Sequence, residues 1–164
     1  MENHEGVPKL KDKHIMIAVD ESENAKAALL FVAGFIGGFH GFRVTILSII
    51  AAPNRDLFGS DGERQKWMAD KREAISAVLE RYRQILIQSG FARTKVRTEL
   101  VVSDDRPVSA VILEKQKEAC CCALVVGRRG ISKSEEFLFG SVSNALVHNS
   151  NNCSVWVIEP TCGV

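Results

Sequence analysis

The segment Ala123-Leu-Val-Val-Gly-Arg-Arg-Gly130 decides the fold class of this 164-residue chain. Its first four residues are apolar, and a glycine follows at once, as in a buried strand that ends at a turn. A loop comes next, and a short helical segment begins at Ser141. A strand, a loop at its carboxyl end and a helix in this order are typical of α/β proteins.

The same alternation runs along the rest of the chain. Short apolar runs predict five strands, at residues 14–19, 43–50, 95–102, 122–126 and 153–158. Between them, helical spacing predicts a helix after Ser22, one at residues 65–88, one after Pro107 and one from residue 141 to about 148. Because the strands are continuous apolar runs, we expect an open, doubly wound, mainly parallel sheet with helices on both faces.

Composition favours one globular domain in a reducing compartment. We expect a flexible tail at residues 1–12 and a single domain at residues 13–160. The N-terminal residues are polar and lack the pattern of a signal peptide, so we expect a cytoplasmic protein. Three of the five cysteines are consecutive and no C-x-x-C occurs, which predicts reduced, mostly buried thiols and no metal site.

Neither nucleic acid nor a membrane is expected as a partner. Lys and Arg number 21 against 20 Asp and Glu, so no global field attracts polyanions. The basic residues at 65–88 alternate with acidic ones, which is typical of a solvated helix face. Residues 25–39 are nearly all apolar but are interrupted by Lys26 and three glycines, and a membrane span needs about 20 apolar residues.

Two strand ends carry the candidate site. Ligands of open α/β sheets bind at the carboxyl ends of strands where the strand order reverses. The first predicted strand runs into Asp20, which could accept hydrogen bonds from ribose hydroxyls. The fourth runs into Gly127, and the loop after it closes with Gly140 and Ser141 at a helix start. Such a helix N-terminus offers main-chain N–H groups and a positive dipole end to a phosphate.

Side chains near these glycines could complete an anion site. Ser141 and Ser143 could add hydroxyl donors, and Arg128 and Arg129 could neutralise phosphate charge. Each element also has a purely structural interpretation. The glycines could simply form turns, Ser141 could cap its helix, and Asp20 could cap the helix that follows it.

The glycine spacing resembles a known family signature. Gly127-x-x-Gly130, nine residues and then Gly140-Ser141 match the G-x2-G-x9-G-(S/T) motif of the universal stress protein family. Ala18-Val19-Asp20 is similar to the end of that family's first strand, and Gly140-Ser-Val-Ser143 is similar to the start of its last helix. The resemblance extends over residues 13–159.

The resemblance implies a parallel sheet of order 3-2-1-4-5, of the adenine nucleotide alpha hydrolase-like type, and ATP binding. ADP or AMP could replace ATP, with or without magnesium. The residues implied to contact the nucleotide are Ala18, Val19, Asp20, Ile49, Val126, Gly127, Arg129, Gly130, Gly140, Ser141, Val142 and Ser143. Family members are usually dimers, and we expect a homodimer through the last strand, residues 153–158, because an edge strand invites pairing.

Three departures from the family pattern stand out. Cys122 replaces an acidic residue before the fourth strand, and Cys153-Ser154-Val155 replaces a Cys-Pro-Val at the last one. Glu135 and Glu136 lie in the nine-residue loop, where they would repel a triphosphate unless they face solvent or hold a divalent ion. We expect them to face solvent.

The leading hypothesis is an ATP-binding regulator of the stress response that is not an enzyme, because no Walker lysine, nucleophile elbow or histidine base is present. One alternative is a dimeric interaction module of the same fold without nucleotide. Another is a slow magnesium-dependent ATPase that uses Asp20, Glu135 or Glu136. A phosphate-accepting receiver domain fits less well, since the last strand is not followed by the lysine it needs.

Overall fold

The computed structural model describes residues 12–103, 105–128 and 140–160. In that part of the chain five strands alternate with four α-helices, in the order β1 Lys13–Ala18, α1 Glu23–Ile36, β2 Phe42–Ala51, α2 Asp61–Gln88, β3 Val96–Ser103, α3 Val108–Glu118, β4 Ala123–Gly127, α4 Ser141–Asn149 and β5 Ser154–Ile158. Two short 3-10 turns, Arg55–Leu57 and Arg93–Lys95, were not predicted. The tail at residues 1–11 and Cys162 lie outside the described residues.

The five strands form one parallel sheet in the order β3-β2-β1-β4-β5, as predicted. Ile15 of β1 lies opposite Val44 of β2 on one side and Ala123 of β4 on the other. The chain leaves β1 toward β2 but later returns to the opposite side of β1 to form β4. The strand order therefore reverses between β1 and β4.

Alternate residues of the strands build two apolar layers. Ile15 and Ile17 pack with α1 and α2 on one face of the sheet, where Leu29 and Leu79 are buried. On the other face, Met16 and Leu124 pack with α3 and α4, where Ile112 and Leu146 are buried. Both faces of the central strands are thus covered, which explains why these strands are nearly continuous apolar runs.

Helix boundaries follow local capping. Ser22 is the N-cap of α1, as predicted, and its hydroxyl accepts a hydrogen bond from the Ala25 N–H at 3.2 Å. Helix α2 begins at residue 61 rather than at the predicted residue 65, because Ser60 caps it by accepting from the Glu63 N–H at 3.2 Å. Its end at Gly90 was predicted. Gly90 has a φ of +113°, which side chains other than glycine rarely adopt.

The expectation of mostly buried thiols is wrong. Among the four cysteines that the structure describes, Cys121 is buried, Cys153 is half-buried, and Cys120 and Cys122 are exposed. All four are free thiols. Burial in the apolar layer beneath α3 raises the pKa of Cys121 to about 12, so this thiol stays protonated at neutral pH.

Two further findings concern the described residues alone. No helix among them combines the length and the apolarity needed to cross a bilayer. No group of three or more His, Cys, Asp and Glu side chains among them converges in a way that could hold a metal ion.

Candidate functional site

A crevice opens at the carboxyl ends of β1 and β4, at the reversal of strand order. Its empty volume is about 690 Å³, part of it open to solvent. The described residues that line it are Ala18, Val19, Asp20, Ser22, Ala25, Leu47, Ile49, Val108, Ile112, Val126, Gly127, Gly140, Val142 and Ser143.

The structure brings together most of the residues singled out from the sequence. Nine of them line the crevice: Ala18, Val19, Asp20, Ile49, Val126, Gly127, Gly140, Val142 and Ser143. Ser141 begins α4 but is exposed and does not line the crevice. Arg129 and Gly130 lie outside the described residues, as do Glu135 and Glu136.

Sequence reasoning missed one wall of the crevice. Val108 and Ile112 of α3 line it, together with Leu47 of β2. Val108 and Ile112 are four residues apart and therefore share one helix face, which was not singled out as part of the site. The topology could have indicated this wall, because the helix that connects β3 to β4 must cross the sheet near the point where the strand order reverses.

Asp20 takes part in a local turn at the mouth of the crevice. Its Oδ1 accepts a hydrogen bond from the Ser22 N–H at 2.9 Å, which fixes the chain between β1 and α1. The N-cap of α1 is Ser22, so the interpretation of Asp20 as the cap of that helix is wrong. The Asp20 side chain is half-buried and its carboxylate borders the crevice.

Gly127 is also required for a packing reason that was not predicted. A β-carbon at this position would lie 2.3 Å from the Asn24 carbonyl oxygen and 2.8 Å from the Ala25 nitrogen. The space left by the absent side chain is therefore filled by the main chain at the start of α1. This glycine lets α1 begin directly against the end of β4, and so brings Asp20 and Ser22 close to β4.

The N-terminus of α4 faces the crevice through Val142 and Ser143. Gly140 is the N-cap and has no side chain to accept the first N–H groups of the helix. The Ser143 hydroxyl donates to the Gly140 carbonyl oxygen at 3.0 Å, so it is engaged within the helix rather than directed at a ligand. The main-chain N–H groups at the start of α4 are the donors this end of the crevice offers to an anion.

Arg128 does not line the crevice, contrary to its predicted role in neutralising phosphate. The Arg128 guanidinium lies 2.8 Å from the Glu159 carboxylate. The main-chain N–H of Arg128 donates to the Ile158 carbonyl oxygen at 2.7 Å. Both contacts attach the end of β4 to β5. The sequence could not show this, because Glu159 becomes a neighbour only after the two strands have paired.

Fold and crevice together define an open-sheet α/β protein with a ligand crevice at its topological switch point. The family model described as the universal stress protein family matches residues 12–159, and the chain belongs to that family. No curated protein matches the chain by sequence.

Solved structures of this family share the fold. The universal stress protein UspA from Lactobacillus plantarum has a TM-score of 0.71 at 18% identity, covering 90% of this chain and 98% of that one. The Archaeoglobus fulgidus protein in complex with dAMP has a TM-score of 0.61 at 23% identity, covering 91% and 98%. A universal stress protein in complex with cAMP has a TM-score of 0.64 at 18% identity, covering 91% and 98%. At these identities the similarity establishes the fold alone.

Proposed function

We propose that this chain binds an adenine nucleotide, ATP in the first place, in the crevice between β1 and β4. One observation carries the proposal: the crevice brings together apolar side chains, a carboxylate and the N-terminus of a helix, which suit a base, a ribose and phosphates. The two relatives bound to dAMP and to cAMP support an adenine nucleotide as the ligand class.

The apolar slot suits the flat faces of adenine. Ile49 and Val126 lie near the ends of β2 and β4, and Val108 and Ile112 of α3 line the same crevice. These side chains offer no hydrogen bonds, so they would hold the base by burial of apolar area, at about 25 cal/mol per Å².

The polar ends of the crevice suit the rest of the nucleotide. Asp20 would accept hydrogen bonds from the ribose hydroxyls, and the first N–H groups of α4 would bind phosphate. Gly130 and Arg129 would complete the phosphate site, and Ser141 would add its main-chain N–H. This part of the proposal depends on the glycine motif, since Gly130 and Arg129 lie outside the described residues.

Nucleotide occupancy would act as a regulatory signal in the cytoplasm during stress. The described crevice contains one carboxylate, Asp20, and no histidine or lysine side chain. Among the described lining residues, the Asp20 carboxylate is therefore the one side chain that could activate a water molecule at neutral pH. Binding without turnover is the proposed activity, and magnesium would enter only with the phosphates of ATP.

We propose further that the chain forms a homodimer through β5. This strand is the last of the described sheet and carries no charged side chain from Ser154 to Ile158. The opposite edge strand, β3, carries Arg97 and Glu99, and charged side chains on an edge strand discourage pairing. A dimer through β5 leaves the crevice accessible, because none of its described lining residues belongs to β5.

Thermal denaturation with and without ligand tests the nucleotide proposal. ATP at about 100 times its dissociation constant should stabilise the fold by about 2.7 kcal/mol, and GTP at the same concentration should stabilise it less. Gly140→Val should abolish the ATP response, because the new side chain would stand at the N-cap of α4. Gly34→Val is the matched control, since a β-carbon at Gly34 meets no atom within 4 Å.

The outcomes separate the hypotheses. No response to ATP, ADP or AMP in the unmodified protein would contradict nucleotide binding and favour the interaction module. Phosphate released from magnesium ATP above a no-protein control, and lost in Asp20→Ala, would instead show an ATPase. Mass spectrometry of small molecules released from freshly purified protein would identify which adenine nucleotide is bound.

A further inference from the structure

Two free cysteines lie side by side where β4 and β5 begin. Ala123 of β4 lies opposite Ser154 of β5. One residue earlier on each chain, Cys122 and Cys153 are therefore neighbours across the pair. The Ser154 N–H donates to the Cys122 carbonyl oxygen at 2.9 Å, which holds the two chains together at this point. Both thiols are free.

The spacing of the two chains suits a disulfide. Hydrogen-bonded strands run about 4.8 Å apart. A disulfide joins residues whose Cα atoms are usually about 4.4–6.8 Å apart, so neighbouring chains in a sheet fall within this range. The two thiols also influence each other. Burial raises the pKa of Cys153, and the nearby Cys122 thiol raises it further.

In the reduced protein each of these thiols has a weak partner. The Cys122 sulfur lies 3.3 Å from the His14 carbonyl oxygen, and the Cys153 sulfur lies 3.3 Å from the Ser154 carbonyl oxygen. A thiol is a weak hydrogen-bond donor. Rotation about either Cα–Cβ bond therefore loses little, and each sulfur is free to approach the other.

Solvent reaches the Cys122 side of the pair. Cys122 is exposed and lines a groove of about 1,130 Å³ that is partly open to solvent. The groove is bordered by an aromatic face that α1, the turn after it and β5 provide, and that consists of Phe31, Phe35, Phe39 and Trp156. A small polar oxidant can therefore meet the Cys122 sulfur before it meets the half-buried Cys153.

The other two described cysteines are less suited to this chemistry. Cys121 is buried, and burial raises its pKa to about 12, so its thiol is protonated and shielded from solvent. Cys120 is exposed, but it lies three residues before β4 begins and has no neighbour on β5.

We propose that Cys122 and Cys153 form a disulfide when the protein meets a peroxide. The Cys122 thiolate attacks one oxygen of hydrogen peroxide, the O–O bond breaks, and a sulfenic acid forms on Cys122 as hydroxide leaves. The Cys153 thiolate then attacks the sulfenic sulfur, forms the S–S bond and releases a second hydroxide. The protons of the two thiols convert both hydroxides to water. Two thiols are thus oxidised by two electrons, and one hydrogen peroxide is reduced to two waters.

The bond would close a loop over residues 122–153, which contains β4, the glycine motif and α4. A cross-link between the ends of a segment lowers the entropy of the unfolded chain. Oxidation should therefore stabilise the half of the crevice that β4 and α4 provide, and should raise the Tm by about 5 °C. This inference does not depend on whether the crevice binds a nucleotide.

Peptide mapping tests the pairing. The protein is treated with hydrogen peroxide, its remaining thiols are blocked with N-ethylmaleimide, and a non-reducing digest is sequenced by tandem mass spectrometry. We expect one link within the chain, between Cys122 and Cys153, that dithiothreitol removes. Cys122→Ser and Cys153→Ser should each abolish the link and the rise in Tm. Cys120→Ser is the matched control and should keep both.

Trapping with dimedone tests the order of the two steps. In Cys153→Ser the sulfenic acid on Cys122 lacks its resolving thiol, so dimedone should label Cys122. The same labelling at Cys153 in Cys122→Ser should be weaker. Stronger labelling at Cys153 would overturn the order.

Other results in the unmodified protein would overturn the pairing itself. A link from Cys153 to Cys121 or to Cys162, which lies outside the described residues, would do so. A link between two copies of the chain, or full blocking of Cys122 and Cys153 after peroxide treatment, would do so as well. These results need no variant, and they would leave the nucleotide proposal unaffected.

Discussion

The crevice and the aromatic face differ in the residues that form them and in their place on the sheet. The crevice is formed at a point where two strand ends diverge, by small residues such as Ala18 together with aliphatic side chains such as Ile49 and Ile112. The aromatic face is formed by large side chains, such as Phe35 and Trp156, at the edge of the same sheet. The crevice lies where the strand order reverses between β1 and β4, whereas the aromatic face lies where large side chains lack cover. Helix α1 contributes to both, since it begins at one and ends near the other.

Replacement of Gly127 by valine should have the largest effect, because it would damage both regions. The new β-carbon would lie 2.3 Å from the main chain of Asn24, and main chain cannot yield as a flexible side chain does. Displacement of α1 should cost about 3 kcal/mol of unfolding free energy, measured by urea denaturation. Gly34→Val should change it by less than about 1 kcal/mol. Unchanged stability in Gly127→Val would show that α1 does not need its contact with β4.

Asp20→Asn should weaken ligand binding at the crevice without affecting the aromatic face. The variant keeps an oxygen that can accept from the Ser22 N–H but loses the charge at the crevice mouth. Loss of charge-assisted hydrogen bonds to ribose should weaken ATP binding by about 10- to 100-fold, which corresponds to about 1.5–3 kcal/mol, measured by calorimetry. Dimerisation should not change.

Phe35→Asp supplies the reciprocal comparison. Its ATP affinity should stay within about twofold of the unmodified value, since Phe35 does not line the crevice. If instead Phe35→Asp weakened nucleotide binding as much as Asp20→Asn, the crevice and the aromatic face would be coupled rather than independent.

A change to mildly acidic pH should have the smallest effect on the free energy of unfolding. The group responsible, His14, belongs to neither the crevice nor the aromatic face. His14 is buried near the amino end of β1, where its ring nitrogens lie 2.8 Å from the Thr45 hydroxyl and 3.0 Å from the Ala119 carbonyl oxygen. Burial lowers the pKa of His14, and the nearby Arg43 and Arg97 lower it further, against the raising effect of the Ala119 carbonyl. The unfolded chain therefore binds this proton more readily than the folded chain.

Stability should accordingly fall as the pH decreases below about 6.5, the ordinary pKa of histidine. Urea denaturation at pH 7 and pH 5 measures this change, and His14→Gln should show a smaller decrease than the unmodified protein. An equal decrease in both proteins would assign the pH dependence to other groups.

Much of the fold could be predicted because its signals are local. The apolar run at Ala123–Gly127 and the serine cap of α1 are recorded in a few adjacent residues each. Boundaries were less certain, as at α2, where the cap at Ser60 was overlooked in a segment rich in glycine. The location of the crevice was also predictable, since the carboxyl ends of parallel strands meet at one edge of the sheet.

The directions of side chains across the assembled sheet were not predictable. Arg128 was expected at a phosphate but lies against Glu159, and Val108 and Ile112 were not expected at the site but line the crevice. Each of these placements depends on a residue that is remote in sequence. Local propensity carries no information on such neighbours.

The sequence by itself determined the order of strands and helices, the parallel sheet and the strand ends at which a ligand could bind, because periodicity and glycine placement act over short stretches of chain. The tertiary structure decided that Gly127 makes room for α1 and that β5 ends the described sheet beside an aromatic face. The physical reason is that close packing between distant segments, not local conformation, determines which surfaces are filled and which are left uncovered.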